Sequence, residues 1–325
     1  MKPIEPIKER FRQVFGGDPA VISAAPGRVE FIGNHTDYNL GPVIGAAIDR
    51  RVYVAIRRVE ERLFRFASSA YSDFVSLDET DSPVAGRDSW VNYLIGVYNN
   101  LIRKGLSTKG GFELYVDSDL PTGAGLSSSA ALELASGKAL CECYGLEIGL
   151  EDLAVACKEA ENEFVGVPCG ILDQGVSAFG KAGGLVHIDC REMVFSVIPL
   201  ADELSIWIFN THKKHALVES LYSERYEECL SAVNGLVDLG LEVSCLADLS
   251  MDVLERAKPS LDEKIAKRAE HIVGEISRVE AVRHLLEEGK AEDAGKLLFQ
   301  SHASSKNLFE NSIPELDYLV DILRS

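Results

Sequence analysis

Basic residues are scarce in this sequence. Lys and Arg together number 33 against 51 Asp and Glu, which gives a formal net charge of −18 at pH 7. This excess of negative charge repels nucleic acid backbones and anionic membrane surfaces. We therefore expect no nucleic acid and no membrane among the partners of the protein. An anionic ligand would need a local source of positive potential, such as backbone amides at a helix N-terminus or a metal ion.

Cysteines are few and odd in number, with seven in the chain. Cys141 and Cys143 form a C-x-C pair, but no second Cys pair and no H-x₃₋₅-H pair follows at the spacing of a zinc site. Most of the cysteines lie in apolar stretches, such as the one around Cys157. Reduced thiols that pack between helices fit this distribution best, which predicts a cytoplasmic location.

Long apolar runs are also missing. No stretch of about 18 apolar residues occurs, and the segment from Met1 to Gln13 is charged and lacks the apolar core of a signal peptide. The chain has 325 residues, 46% of them hydrophobic. It can therefore bury one large core or two medium ones, and the usual size of domains favours two.

Strand patterns dominate the first part of the chain and helix patterns the second. Alternating or β-branched apolar residues predict strands at 20–24, 46–56, 63–67, 112–116, 184–189 and 204–210. Apolar residues at helical spacing predict helices at 4–15, 90–101, 130–143, 150–164, 222–236, 261–288 and 291–309. This order predicts an α+β fold with two domains, at 1–200 and 201–325.

A loop rich in Gly and Ser separates the predicted strand at 112–116 from the predicted helix at 130–143. It reads Pro121-Thr-Gly-Ala-Gly-Leu-Ser-Ser-Ser129. A phosphate at the start of a helix meets free N–H groups and the positive end of the helix dipole, and glycines let the backbone approach it closely. No Lys follows the glycines, so the loop does not match a Walker-type nucleotide site. Simple helix capping by Ser is the alternative interpretation.

A second polar concentration lies between two predicted strands. The segment Ala25-Pro-Gly-Arg-Val-Glu-Phe-Ile-Gly-Asn-His-Thr-Asp-Tyr-Asn39 holds a cation, an imidazole, a carboxylate and several amides. Alternating donors and acceptors of this kind are suited to a polyhydroxy ligand such as a sugar. A turn rich in Asn and Asp, with Arg28 in a surface ion pair, is the alternative.

These two segments, together with Pro168-Cys-Gly-Ile-Leu-Asp-Gln174, resemble the galactokinases, a family of the GHMP kinases. Gly27 to Asn39 is similar to the galactokinase signature G-R-V-N-L-I-G-E-H-T-D-Y-N with three differences, and Pro121 to Ala131 is similar to the ATP motif P-x-x-x-G-L-S-S-S-A-A without a mismatch. The resemblance runs through most of the chain. It implies a two-domain α+β fold with the active site between the domains, and transfer of the γ-phosphate of ATP to the anomeric hydroxyl of galactose.

The resemblance also implies roles for individual residues. Asp173 matches the family's active-site aspartate and is expected to accept the proton of the sugar hydroxyl, and Arg28 matches the active-site arginine. A carboxylate beside an arginine is favoured in its charged form, and the arginine can stabilise charge on the transferring phosphoryl group.

For Mg²⁺, the resemblance points to Glu161 with Ser129 or Ser128. For ATP, it points to Gly123, Ala124, Gly125, Leu126, Ser127, Ser128 and Ser129 around the phosphates and to Trp90 and Tyr93 around the base, although helical spacing alone would place these two aromatic residues in the core. For the sugar, it points to Asn34, His35, Asp37, Gly170, Asp173 and Tyr222.

Two departures from the family pattern affect these expectations. Asn34 stands where galactokinases carry Glu, which removes a carboxylate that would repel an acidic sugar. The family's third glycine-rich motif is absent, and the chain reaches Ser325 shortly after a segment, 314–321, that resembles the run into that motif. An incomplete C-terminal domain is therefore expected.

Two other functions stay open at this point. One is a kinase for galacturonate, N-acetylgalactosamine or arabinose, which the neutral Asn34 permits. The other is a catalytically silent sensor that binds sugar and ATP, which the absent third motif permits, although Arg28, Glu161 and Asp173 are all present and argue against it.

Overall fold

The computed structural model describes residues 4–71, 74–78, 85–86, 89–121, 123–211 and 216–324. The chain forms two compact units, one of Met1–Val29 with Ala47–Gly180 and the other of Glu30–Ala46 with Lys181–Ser325. The division near residue 200 stays a prediction. The compact units instead change at Gly180, and the segment 30–46 joins the second unit because it packs with residues far along the chain.

The first unit combines a mixed sheet with helices. Its elements are α1 (Ile4–Phe15), β1 (Val21–Ile32), β2 (Val43–Val59), β3 (Leu63–Ser68), β4 (Val75–Asp78), α2 (Val91–Arg103), β5 (Gly111–Ser118), α3 (Ser128–Tyr144), α4 (Leu150–Glu159), a π-helical continuation Ala160–Val165, and α5 (Leu172–Phe179). β2 pairs with β5 antiparallel, β5 with β3 parallel, and β3 with β4 antiparallel. β1 and β2 each extend a few residues into the second unit.

The core of the first unit lies between this sheet and α2, α3 and α4. Val54 and Ile56 of β2 and Leu114 of β5 are fully buried, and so are Val97 of α2 and Leu134 of α3. Helices pack on the sheet here because their apolar residues recur on one face, whereas α3 is buried on nearly all sides. α3 is therefore packed in the core from Ala130 onward, directly after the turn where the Gly-Ser loop enters it.

The second unit is mainly helical. Its elements are β6 (Gly184–Asp189), β7 (Val194–Pro199), α6 (Ala216–Asp238), α7 (Met251–Ala257), α8 (Glu263–Glu287), α9 (Ala291–Ser304), a π-helical continuation Ser305–Phe309, and α10 (Pro314–Arg324). β6 pairs antiparallel with β7 and with Val43–Gly45 at the start of β2. The Asp262 side chain caps α8 by accepting from the N–H groups of Lys264 and Ile265. Besides its apolar residues, α8 buries Arg268, His271 and Glu275 completely.

The predicted α+β fold is confirmed, but the sequence interpretation needs correction at several elements. The predicted strand at 204–210 is wrong, because these described residues form no strand and expose Trp207 to 79%. Apolar alternation does not make a strand without a neighbour that supplies hydrogen bonds. The elements that were not predicted are β4, β7, α5, α7 and α10, and β7 pairs with β6. Among the described residues, we find no helix with the length and apolar character needed to cross a bilayer.

Candidate active site

The Gly-Ser loop turns sharply into α3. Gly123 and Gly125 have φ of 68° and 71°, and Ser127 has φ of 52°. Glycine adopts this left-handed conformation without strain, whereas Ser127 needs contacts that hold it there. Gly123, Gly125 and Ser128 are exposed, so the loop and the first turn of α3 are open to a ligand. Thr122 lies outside the described residues. The arrangement offers a phosphate unpaired backbone N–H groups at the start of a helix.

Asp173 lies in the first turn of α5 and joins this loop to β1. Arg28 of β1 donates to Asp173 Oδ1 from Nε at 2.7 Å, and its Nη2 lies 2.5 Å from the same oxygen. Ser127 donates its hydroxyl to Asp173 Oδ2, which accounts for the conformation of Ser127. Both carboxylate oxygens therefore have a fixed direction. The side chains of Arg28 and Asp173 are 15% and 25% exposed, so solvent and a substrate can still reach them.

Further contacts fix Arg28 on the loop itself. Its Nη1 donates to the carbonyl of Gly125 at 2.8 Å, and its backbone N–H donates to the carbonyl of Leu126 at 3.1 Å. Ser177 of α5 donates to the carbonyl of Pro26 at 2.6 Å in a buried position. β1, the loop and α5 are thus connected to one another, and the structure brings together the Arg28, Asp173 and Ser127 that the sequence predicted.

A buried acidic group lies next to this constellation. The Gln174 side-chain nitrogen donates to Glu161 Oε2 at 2.7 Å and to Glu133 Oε2 at 3.0 Å. Burial, and secondarily the negative charge of Asp173, raises the pKa of Glu161 to about 7, while a hydrogen bond from Ser129 opposes the shift. Burial and the charge of Glu161 also raise the pKa of Glu133. Neighbouring carboxylates in low dielectric repel each other, so the group favours protons or a cation.

Sequence reasoning missed Glu133 and Gln174. A signal for Glu133 was available, because it is a lone carboxylate within the apolar run Ala130-Ala-Leu-Glu-Leu-Ala135. Gln174 gave no such signal, since its role depends on two carboxylates that are distant in sequence.

Gly170 is buried in the loop before α5, and a side-chain clamp holds that loop. Asn162 accepts from the backbone N–H of Cys169 at 2.8 Å and donates to its carbonyl at 3.2 Å. The position of Gly170 therefore depends on the π-helical turn that carries both Asn162 and Glu161.

The aromatic candidates for the nucleotide base lie at the start of α2. Trp90 stacks on Tyr71 with a centroid distance of 5.6 Å and an interplanar angle of 4°, and it also packs against the core of the first unit. Tyr93 is half-buried in the first turn of α2. Tyr71 is 50% exposed, so the stacked pair presents an aromatic surface to solvent.

The polar segment that follows β1 lies in the second unit. Gly33 has φ of 112°, and a Cβ there would lie 2.9 Å from Val43 Cα, so only glycine fits. The side-chain oxygen of Asn34 accepts from Asn311 at 2.8 Å and from Ser305 at 3.2 Å, and its nitrogen donates to Glu30 at 3.3 Å. Asn34 therefore uses its amide within the protein.

His35 belongs to an aromatic cluster of the same unit. Its ring lies 4.9 Å from Tyr222 and 4.7 Å from Phe309, and its Nδ1 is 3.0 Å from the Tyr38 hydroxyl. Desolvation in this cluster lowers the pKa of His35 to about 3, so the ring is neutral at pH 7. Asp37 accepts from the backbone N–H of Tyr38 at 2.9 Å. The structure thus brings His35 and Tyr222 into contact and places Asn34 and Asp37 on either side of His35 along the chain.

Two protein-family descriptions match the chain. The GHMP kinases N-terminal domain matches residues 92–181, which contain the Gly-Ser loop, Glu161 and Asp173. The galactokinase galactose-binding signature matches residues 9–58, which contain Arg28 and the polar segment.

A galactokinase from Roseiflexus sp. (strain RS-1) is 38% identical to the chain over 321 residues, which is 98% of this chain and 81% of the relative. The chain belongs to the galactokinase family. Galactokinases are phosphotransferases that act on an alcohol group, and ATP is the co-substrate of this kinase family.

Solved structures agree with this membership. The galactokinase of Lactococcus lactis, in complex with galactose, superposes with a TM-score of 0.88 at 31% identity and covers 98% of this chain and 83% of its own. Phosphomevalonate kinase from Streptococcus pneumoniae has a TM-score of 0.57 at 12% identity, covering 89% of this chain and 80% of its own, and shares the fold.

Proposed function

We propose that this galactokinase-family chain transfers the γ-phosphate of ATP to the anomeric hydroxyl of galactose. The single observation that carries the proposal is the Arg28–Asp173–Ser127 constellation at the Gly-Ser loop. A carboxylate and a guanidinium meet there at the start of a helix, where a phosphate is favoured. Family membership, the galactose-binding signature and the similarity to a galactose-bound galactokinase support galactose as the sugar.

Asp173 orients the attacking hydroxyl and accepts its proton. Because Ser127 and Arg28 occupy defined directions on the carboxylate, the remaining lone pairs point in a fixed direction. Phosphoryl transfer passes through a loose transition state, so alignment and charge stabilisation matter more than the strength of the nucleophile. Arg28 supplies positive charge next to the transferring group, and its bond to Gly125 keeps it at the loop.

The loop Gly123–Ser129 binds the phosphates of ATP through its backbone N–H groups. A chain with a net charge of −18 needs this local source of positive potential. The exposed stack of Trp90 on Tyr71, with Tyr93 one turn of helix away, is suited to the planar base. Trp90 and Tyr93 are therefore our proposed contacts to the base of ATP.

The buried acidic group fits a magnesium ion. Glu161 offers a carboxylate whose pKa is raised by burial and, secondarily, by the charge of Asp173, and the neighbouring Ser129 offers a hydroxyl. Mg²⁺ prefers oxygen ligands and commonly takes one or two carboxylates together with substrate phosphates. Glu161 and Ser129, or Ser128, would hold the ion. When bound, it would neutralise charge on the β- and γ-phosphates.

The His35–Tyr222 contact and the polar groups of Asn34 and Asp37, all in the second unit, are the proposed sugar-binding groups of that unit. Because Nδ1 of the neutral His35 ring is paired with the Tyr38 hydroxyl, Nε2 is the ring nitrogen that can hydrogen-bond a sugar hydroxyl. Because Asn34 is uncharged, acidic sugars belong in the tests beside galactose.

A cytoplasmic location completes the proposal and is supported by the seven free thiols.

A coupled ADP-release assay tests the function. The purified chain is given MgATP with galactose, galacturonate, N-acetylgalactosamine, arabinose or mevalonate, and Asp173→Asn serves as the inactive control. Galactose-dependent ADP release that is absent from the control is the expected result. Turnover with another sugar would correct the substrate. If the folded protein binds galactose and ATP but turns over none of the sugars, it is a sensor and not a kinase.

A further inference from the structure

Glu275 of α8 holds the backbone of the sugar segment through a fully buried carboxylate. Its Oε1 accepts from the N–H groups of Gly33 at 3.2 Å and Asn34 at 3.3 Å. Two consecutive N–H groups that converge on one carboxylate oxygen form charge-assisted hydrogen bonds, which are stronger than neutral ones. The carboxylate therefore fixes the direction of the peptide between Gly33 and Asn34.

His271, one helical turn before Glu275, holds the other side of Asn34. Its Nε2 lies 3.0 Å from the Asn34 carbonyl oxygen, and its Nδ1 lies 2.9 Å from the Ser304 hydroxyl. A carbonyl only accepts, so Nε2 carries the proton and Nδ1 accepts from Ser304. Residues at i and i+4 share one face of a helix, so one face of α8 forms hydrogen bonds with both the N–H and the C=O of Asn34.

Glu275 and His271 together form what we call the α8 clamp. Neighbouring side chains hold both of these residues in place. Ser301 donates to Glu275 Oε1 at 2.5 Å, and Arg278 donates to Oε2 at 2.7 Å. α9 thus supplies Ser301 for the carboxylate and, one turn later, Ser304 for the imidazole. Every hydrogen bond of the clamp lies within the second unit.

Glu275 and His271 contact a segment whose backbone conformation is sterically restricted. Gly33 and His35, on either side of Asn34, both have positive φ, at 112° and 64°. A non-glycine residue such as His35 adopts this conformation only when its surroundings hold it there. A buried carboxylate and imidazole are costly for a helix that could pack with apolar residues instead. Their cost is offset by contacts to the one segment that carries Asn34, His35 and Asp37.

We propose that Glu275 and His271 are positioning residues for sugar binding. They set the conformation of the Gly33–His35 backbone and through it the direction of the His35 ring. The inference rests on the proposed phosphorylation of galactose. Neither residue is expected to take part in the chemistry or in ATP binding. Their loss should therefore raise the KM for galactose but not the KM for ATP.

The test compares two matched pairs of variants. Glu275→Ala removes both acceptors, whereas Glu275→Gln keeps an oxygen for the two N–H groups. His271→Phe removes the donor to the Asn34 carbonyl, whereas His271→Gln keeps a side-chain N–H in nearly the same place. Loss of a hydrogen bond to a charged or buried partner corresponds to about a tenfold change or more. We expect Glu275→Ala and His271→Phe to raise the KM for galactose by about tenfold or more, with the KM for ATP within about twofold of wild type.

His187→Phe is the control, because it also removes a mostly buried imidazole that contacts α8. His187 Nε2 lies 3.4 Å from Glu280, away from the sugar segment. This variant should share any loss of thermal stability but leave the KM for galactose unchanged. Hydrogen exchange of the peptide that spans residues 33–40 provides a readout that does not depend on activity, and it should become faster in Glu275→Ala and His271→Phe only.

The possible outcomes separate the inference from the proposed function. If wild type fails to release ADP with galactose, the function is wrong, and hydrogen exchange still decides whether the clamp holds the segment. If wild type is active, an unchanged KM for galactose in both Glu275→Ala and His271→Phe would overturn the inference. Equal rises in the KM for galactose and ATP, or equal effects of His187→Phe, would also overturn it, because they would show a general structural role. Rescue by Glu275→Gln and His271→Gln would support it.

Discussion

Arg28 and Asp173, which are 145 positions apart, are joined by a hydrogen bond of 2.7 Å from Nε to Oδ1. The bond links β1 to the first turn of α5, and Ser127 completes it from the Gly-Ser loop. Because each of these groups lies at the end or edge of a packed element, its position is set by the core of the first unit. If Asp173 has the proposed catalytic role, a carboxylate held in this way would need little reorganisation when the substrate binds.

Asp173→Asn should lower kcat by about 100-fold or more, because the amide cannot accept a proton while general-base catalysis contributes about 10²–10⁴-fold. The amide can keep one hydrogen bond with Arg28 or Ser127, so the thermal midpoint should change little. Steady-state kinetics and a melting curve on the same preparation check this. A variant that retains more than about 5% of the wild-type rate would show that Asp173 only positions the substrate.

Glu161→Gln should abolish stabilisation by MgATP and change how stability depends on pH. The pKa of Glu161 is about 7 in the folded chain and lower when unfolded, so its stabilising contribution is fully present below the unfolded value and is lost as pH rises towards 7. The difference between the two pKa values corresponds to up to about 3 kcal/mol in the free energy of unfolding. Urea unfolding from about pH 5 to 8 should show a decline in wild type that the variant lacks. If the stability of wild type and of Glu161→Gln depends on pH in the same way, the raised pKa of Glu161 is contradicted. If MgATP stabilises both proteins equally, the assignment of Glu161 as a metal ligand is contradicted.

Asn34→Glu should shift preference towards neutral galactose and away from galacturonate, because a carboxylate at this position repels an acidic sugar. Asn34→Gln, which has the same length as Glu but no charge, is the matched control. The ratio of kcat/KM for the two sugars in each variant is the measurement. If Glu and Gln give the same ratio, the charge at this position does not select the sugar.

The buried histidines should make the second unit sensitive to acid. Burial lowers the pKa of His271 to about 4 and that of His35 to about 3, whereas the unfolded chain takes up these protons near pH 6.5. Stability from both groups is therefore complete above that value and is lost as pH falls towards 4. His271→Gln should reduce the loss between about pH 7 and 5 by about 2 kcal/mol. Because the titration of Glu161 has the opposite sign, only the difference between variant and wild type is informative, and a difference that does not depend on pH would refute the assignment.

Local pattern predicted most of the elements. The spacing of apolar residues placed the helices now seen as α1, α2, α8 and α9, since one buried face requires that spacing in any tertiary context. It failed at 204–210, where strand-like alternation forms no strand among the described residues. It also missed β7, whose short, half-exposed sequence becomes a strand only beside β6.

Short motifs in the chain already contain the residues expected to carry the chemistry: the Gly-Ser loop, an aspartate, an arginine and the polar segment after β1. The distant groups that support these motifs are brought to them only by folding. Glu133 and Gln174 join Glu161, and Glu275 and His271 hold Asn34 from 241 and 237 positions away. A motif consists of neighbours along the chain, whereas the partner of a buried charge depends on packing, which brings helices together regardless of their separation in sequence.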